Sequence, residues 1–211
     1  MPKQQYQTDF LQSETVVIKS DEADLEYQPD FIDHQNALSL YEKLIDETKW
    51  TQEIVQVYGK SHPAPRLSCW VSDPTMSYSY SYTRMEPTVW TDTLLELKTK
   101  IENSTGFTFN SVLLNYYRDG QDTTGWHSDD EIELGKNPII ASISLGAPRD
   151  FFLRHKSKPL KHKMTLENGS LLMMKGSTQH FWQHHVPKRA NSLGRINLTF
   201  RTILNLSLIH I

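Results

Sequence analysis

Arg195-Ile196-Asn197-Leu198-Thr199-Phe200-Arg201 alternates polar and apolar side chains without a break. On a strand successive side chains point to opposite faces. Arg195, Asn197, Thr199 and Arg201 therefore line one face, and Ile196, Leu198 and Phe200 the other. Patterns of period two, or short apolar runs, extend back from here to residue 107. They predict strands over 111–117, 139–145, 150–154, 162–166, 170–175, 180–186 and 195–203. Turn signals separate them at Asp119-Gly120, Gly146 to Pro148, Asn168-Gly169 and Gly194. Many short strands in one half of a chain imply a sandwich or a barrel.

Toward the N-terminus the period changes. Asp33 is placed to cap a helix running to about Trp50, with Leu38, Tyr41, Leu44 and Ile45 on one face. A second helix is expected from about Thr91 to Asn103, with Leu94, Leu97 and Ile101 inward and Gly106 just past its end. Residues 53–82 carry Gly59, Pro63, Pro65, Pro74 and an alternating Ser-Tyr run, which suit turns and short strands. Residues 1–30 hold one short apolar run, Val16-Val17-Ile18, and read as an extension with a single strand. The chain thus divides into an extension (1–30), a helical and hairpin stretch (31–106) and a β core (107–211), together one structural domain of the α+β class, mainly β.

Composition limits the partners. In 211 residues, 37% hydrophobic and 22% charged, there is material for one real core, which excludes wholesale disorder. No apolar run approaches the roughly 20 residues of a membrane-spanning helix, and Met1 to Ser20 carry no signal-like stretch. Cys69 is the single cysteine, so a disulfide framework and a cysteine-only metal site are excluded within one chain. A cytoplasmic monomer (nuclear in a eukaryote) with no membrane partner is expected. The net charge of −3 argues against a broad electrostatic grip on nucleic acid. Two local basic clusters stand against that balance: His155 to Lys163, and Lys188-Arg189.

The strongest chemical signal is His127-Ser128-Asp129. On an extended segment, a His and an acid two apart point to one side. A second His from a neighbouring strand completes a two-His-one-carboxylate triad that leaves coordination positions open. His180, His184 and His185 are the candidates; His180 and His184 share parity, and parity does not choose between them. Two arginines on the inward face of residues 195–201 call for anionic partners, because an unpaired buried charge is costly. A dicarboxylate held by guanidinium forks satisfies both. Asn115 and Tyr117 share parity and could add an amide and a phenol to the same anion site. A zinc hydrolase also uses two His and an acid, but has no use for the paired arginines.

Four ordered motifs now stand together: Asn115-x-Tyr117-x-x-Gly120, His127-x-Asp129, Trp182-Gln183-His184-His185-Val186-Pro187-Lys188, and Arg195-x-Asn197-x-x-x-Arg201. Together they resemble the AlkB family, Fe(II)- and 2-oxoglutarate-dependent nucleic-acid dealkylases, over residues 50 to 205. The resemblance implies a double-stranded β-helix (jelly roll) with flanking N-terminal helices and a nucleotide-recognition lid. It implies iron on His127, Asp129 and His184. It places Arg201 on the distal carboxylate of 2-oxoglutarate and Arg195 near its metal-binding end, with Asn115, Tyr117, Asn197 and Thr199 completing the cofactor site. The implied reaction is O₂-dependent hydroxylation of an N-alkyl carbon on 1-methyladenine or 3-methylcytosine in DNA, releasing formaldehyde, succinate and CO₂.

A base inside a duplex must be flipped out to be reached. Tyr78, Tyr80 and Tyr82 share one face of an alternating run and offer stacking planes. By the resemblance, Tyr78 sandwiches the base opposite His127 with Tyr80 close by, and Asp130 and Glu131 recognise a cationic lesion. Val55 to Lys60 resembles a hairpin that wedges into a duplex, with Tyr58 as the wedge. Single- and double-stranded alkylated DNA are the expected partners. An RNA demethylase on the same scaffold, a protein demethylase and a non-catalytic nucleic-acid module are the alternatives.

Overall fold

The computed structural model describes residues 14–57, 59–74, 78–80, 83–85 and 87–204, with only the backbone at 57, 78–80 and 83–85. The chain opens with β1 (Val16–Ser20) and β2 (Ala23–Gln28), followed by α1 (His34–Glu47). A hairpin of β3 (Ile54–Val57) and β4 (Lys60–Pro63), then β5 (Leu67–Ser72), lead to a second hairpin of β6 (Tyr78–Tyr80) and β7 (Thr83–Met85). After α2 (Asp92–Thr105) come β8 (Ser111–Tyr117), β9 (Thr124–His127), β10 (Ile140–Gly146), β11 (Arg149–His155), β12 (Lys161–Leu166) and β13 (Ser170–Lys175). One turn of helix, α3 (Thr178–Phe181), runs into β14 (Trp182–Val186), and β15 (Arg195–Arg201) closes the fold.

These strands build a jelly roll. A seven-stranded sheet in the order β1-β2-β13-β10-β15-β8-β5 faces a four-stranded sheet in the order β12-β11-β14-β9. The alternation in β15 sorts its side chains as the sequence predicts. Ile196, Leu198 and Phe200 pack with Leu44, Leu94, Leu97 and Ile101 of the two helices. Each such burial contributes about 1.5–3 kcal/mol. The opposite faces of β8, β10 and β13 turn toward the smaller sheet, where Leu113, Ile140 and Leu172 pack with Phe151, Leu153 and Trp182. Two cores therefore share the larger sheet, and the polar face of β15 looks into the space between the sheets.

Both helix starts follow their caps. Asp33 accepts the Asn36 N–H at 3.0 Å, and Thr91 accepts the Leu94 N–H at 3.3 Å. Gly106 ends α2 at φ +75°, a conformation open to glycine. α1 stops at Glu47, short of the expected Trp50. Trp50 instead packs on Tyr116, with ring centroids 5.4 Å apart. Among the described residues no helix is long and apolar enough to cross a membrane.

The N-terminal reading needs correction. Residues 16–28 form two strands, not one, and β2 pairs with β13 across five residue positions, from Gln28 with Leu171 to Asp24 with Lys175. The stretch read as an extension thus supplies the edge of the larger sheet. Its turn, Asp21-Glu22, has positive φ at both residues (+46° and +64°), the form a two-residue hairpin requires. The turn is clamped from outside: the Trp182 indole donates to the Asp21 carbonyl at 2.9 Å, and Lys158 holds the Glu22 carboxylate at 2.7 Å. The buried His155 accepts the Lys158 N–H on Nδ1 at 3.0 Å. Its Nε2 therefore carries the proton it donates to Glu22, at 3.3 Å.

Candidate active site

β9 is the edge strand of the smaller sheet and pairs with β14, setting His127 opposite His184. Their rings lie 4.2 Å apart, centroid to centroid. Asp129 lies beyond the end of β9, so strand alternation alone does not place it. Three contacts do. The Ser128 hydroxyl donates to the Trp182 carbonyl at 2.9 Å. The Asp129 N–H donates to Gln179 Oε1 at 2.9 Å. Arg201 Nη2 donates to Asp129 Oδ2 at 2.8 Å. The ligand atoms of His127, Asp129 and His184 then lie within 4.8 Å of one another. Of the three candidate histidines, only His184 joins them. His185 faces away and stacks on Trp126 at 4.1 Å, while His180 sits in α3 and accepts the Asn137 N–H at 3.2 Å.

The protonation of this cluster suits a metal. Burial drives the His184 imidazole down to about 3, so it is neutral near neutral pH. Burial lowers His127 too. His127 Nδ1 lies 2.9 Å from the Gly125 carbonyl; as donor there, it leaves Nε2 as a lone pair 3.8 Å from Asp129 Oδ1. Burial alone would raise the Asp129 carboxyl, but Arg201 and the two histidines outweigh it and hold it at about 2. Asp129 Oδ1 is buried with no hydrogen-bond partner. A buried, ionised, half-satisfied carboxylate beside two neutral imidazoles fits a divalent cation that accepts N and O ligands.

The inward face of β15 opens onto the same pocket. Asn197 donates to Ser142 Oγ at 2.8 Å and to the Ile143 carbonyl at 3.0 Å, and accepts the Thr199 hydroxyl at 3.1 Å. Arg195 donates to Ser144 Oγ at 2.8 Å and lies 5.3 Å from the Tyr117 ring. Its Nε and Nη1 are buried without partners. Asn115, Tyr117, Thr199 and both arginines line the pocket with the three metal-ligand candidates.

The structure sets Arg201, not Arg195, against the ligand candidates. Arg201, assigned to the far carboxylate, touches the ligand Asp129. Arg195, assigned to the metal end, lies beside Tyr117 and Ser144, away from the triad. The run of β15 is the reason: six residues at about 3.3 Å each separate the two α-carbons by roughly 20 Å, and the C-terminal end is the one beside Asp129.

Sequence reasoning missed several participants. Arg66 Nε donates to Asn115 Oδ1 at 2.8 Å and lines the pocket. Arg149, fully buried, donates to the carbonyls of Asp122 (2.9 Å) and Pro187 (2.5 Å), tying the loop after β8 to the loop after β14. The Gly120 of the first motif allows that contact: a Cβ there would stand 1.6 Å from the Arg189 carbonyl. Ser142 and Ser144 alternate along β10, a period-two signal visible in the sequence. The contacts of Arg66, Arg149 and Gln179 span long sequence separations and carry no local signal.

The substrate-binding candidates are placed unevenly. Asp130 is exposed and bridges to Lys156 Nζ at 2.9 Å. Neither Asp130 nor Glu131 lines the pocket. Tyr78 and Tyr80 sit on alternate positions of β6, hence on one strand face. Tyr58 and Tyr82 lie outside the described residues, although the hairpin of β3 and β4 that brackets Tyr58 is formed, with Gly59 at φ +75°.

Comparison with known proteins agrees with this fold. Among solved structures, "The structure of OsALKBH1" superposes with a TM-score of 0.63 at 16% identity, over 84% of this chain and 97% of that one, a likeness of fold. "Alpha-ketoglutarate-dependent dioxygenase alkB homolog 3" of Rattus norvegicus is 43% identical over 186 residues, covering 83% of this chain and 62% of the relative. "DNA oxidative demethylase ALKBH2" of Homo sapiens is 42% identical over 159 residues, covering 71% and 61%. The Arabidopsis thaliana protein of the same name is 37% identical over 211 residues, covering 86% and 67%. The chain thus spans about three fifths to two thirds of the length of these curated relatives. Residues 24–201, from β2 through the last residue of β15, match the model of the 2OG-Fe(II) oxygenase superfamily, and the chain belongs to that superfamily, within its AlkB family.

Proposed function

We propose that this chain is an oxidative nucleic-acid dealkylase, acting on 1-methyladenine and 3-methylcytosine in DNA. The observation that carries the reading is one pocket holding two unmet needs. Asp129 Oδ1 is a buried carboxylate oxygen without a partner, and Arg195 Nε and Nη1 are buried donors without an acceptor. A metal answers the first and a carboxylate of 2-oxoglutarate the second. The superfamily's description supports both cofactors, and one relative's name supports 2-oxoglutarate.

In this reading His127, Asp129 and His184 hold Fe(II). Arg195 receives the distal carboxylate of 2-oxoglutarate, a guanidinium fork matched to a carboxylate. Arg201 holds Asp129 and lends its charge to the metal end. Asn115, Tyr117, Asn197 and Thr199 line the channel between them. Bound iron, 2-oxoglutarate and O₂ supply oxidation of the N-methyl carbon. The hydroxylated product then releases formaldehyde, with succinate and CO₂ as co-products. The protein's share is to bind, orient and exclude water.

Tyr58, Tyr78, Tyr80, Asp130 and Glu131 are proposed to meet the flipped base. Support for a polyanionic partner comes from the half-exposed back of the smaller sheet. There Trp126, His185 and Phe152 run across three strands. The Arg154 guanidinium sits 4.3 Å from the Trp126 ring and Lys163 lies 5.4 Å from Phe152. Rings flanked by cations suit a nucleic-acid strand.

The test is methyl loss, read by mass spectrometry, from matched single-stranded DNA, duplex DNA and RNA oligonucleotides carrying 1-methyladenine. Fe(II), ascorbate and 2-oxoglutarate are present, with a control lacking 2-oxoglutarate. Loss of one methyl mass dependent on 2-oxoglutarate is expected on DNA. Turnover on RNA alone would move the substrate to RNA, and none on any strand would reject the reading. Tyr58→Ala is expected to lose more activity on duplex than on single strands; equal loss rejects the wedge.

A further inference from the structure

We propose that Gln179 is a positioning residue for the Asp129 ligand. The inference rests on the metal reading of His127, Asp129 and His184. Asp129 lies in a segment that follows β9 and belongs to neither sheet, so no ladder fixes the orientation of its peptide. Gln179, 50 residues away in α3 and 1% exposed, accepts the Asp129 N–H on Oε1 at 2.9 Å. Its Nε2 lies 3.4 Å from Met174 Sδ. That contact orients the carboxamide: the nitrogen meets a thioether acceptor, leaving the oxygen for the N–H.

Asp129 is therefore gripped at two points. Arg201 holds carboxylate Oδ2, and Gln179 holds the peptide. A single grip on Oδ2 leaves the carboxylate free to swing about that contact. The second grip fixes the backbone, and with it the direction in which Oδ1 faces the histidines. The same turn continues the hold on both sides. The Gln179 carbonyl accepts Lys156 Nζ at 3.1 Å, and Lys156 binds Asp130. Three residues on, Trp182 accepts the Ser128 hydroxyl, two residues before His184. One helical turn thus sets the carboxylate ligand and feeds the strand of the second histidine. Partners that orient metal ligands are typically worth about 10–100-fold in metal affinity.

The experiment uses the full chain, titrated with Co(II) and followed by its visible absorption. Gln179→Met keeps the length and removes the acceptor. It is expected to bind Co(II) about tenfold or more weakly, with an altered visible band. Met174→Leu removes the nitrogen's partner, keeps the acceptor, and is expected to weaken binding clearly less than Gln179→Met does. Wild-type affinity and band shape in Gln179→Met would overturn the proposal, and so would equal weakening in both variants. A measurement on the unaltered, metal-free chain stands apart from folding defects: the Asp129 amide is expected to exchange slowly with solvent, and fast exchange would overturn the hold. Absence of Co(II) binding in the wild-type chain would instead reject the metal reading, leaving the exchange result to judge Gln179.

Discussion

Arg195→Met is expected to yield a more stable protein that no longer holds 2-oxoglutarate. Arg195 is 1% exposed, and among the described residues no carboxylate lies within ion-pair distance. Burial, with the neighbouring Arg149 adding to it, pulls its guanidinium down to about 10. Arg149 lies 5.6 Å from the same Tyr117 ring. The fold therefore carries a buried cation answered, among the described residues, only by neutral groups, the Ser144 hydroxyl and Tyr117. Replacing buried charged groups with apolar chains of similar volume ranges from neutral to a stabilisation of about 1–4 kcal/mol. At this chain length that raises the thermal midpoint by roughly 2–4 °C per kcal/mol. Losing the fork costs about 2–5 kcal/mol of carboxylate binding, or about 30-fold to a few thousand-fold in Kd. Calorimetric melting and titration of 2-oxoglutarate into Mn(II)-loaded protein measure both effects. A destabilised variant that still binds would show that Arg195 serves the fold instead.

Arg201→Met is expected to do the opposite to stability. The side chains of Arg201 and Asp129 are 5% and 1% exposed and joined at 2.8 Å. Removing the cation leaves the carboxylate buried and uncompensated, which costs about 3–5 kcal/mol. The midpoint should fall by roughly 6–20 °C at this size. Adding Asp129→Asn to Arg201→Met should recover much of that loss, because the stranded charge goes with it. Strict additivity of the two substitutions would deny the coupling. Two arginines on one face of one strand are thus expected to have opposite effects on stability, one through its pairing with Asp129 and the other, in the proposed reading, reserved for the co-substrate.

Local physics was legible where it suffices. The alternation in β15 fixed which side chains look inward. Asp33 capped its helix as read, the second helix began near Thr91, and Gly106 ended it. The strands over 111–117 and 170–175 match residue for residue. What escaped was short or long-range. β9 has four residues, too few for a periodic signal. Residues 180–181, read as the start of a strand, belong instead to α3, which places the Gln179 side chain. Val16 to Gln28 lacked apolar density and joined the larger sheet only because β13 offers an edge. Which arginine stands beside Asp129 could not be read from parity, since both share it; only the direction of β15 relative to Asp129 decides it.

The clamp on the Asp21-Glu22 turn bears on how the chain reaches this state. Asp21 and Trp182 are 161 residues apart. During synthesis the β1–β2 hairpin emerges well before its partner β13 and its clamp, which lie far along the chain. Pairings of this reach close late, since the entropy of a long loop is lost before its contacts form. Until then β2 offers an unpaired edge that can recruit a strand from another nascent chain. The polar and charged residues of that edge, Asp24, Glu26 and Gln28 among them, resist such pairing during the wait.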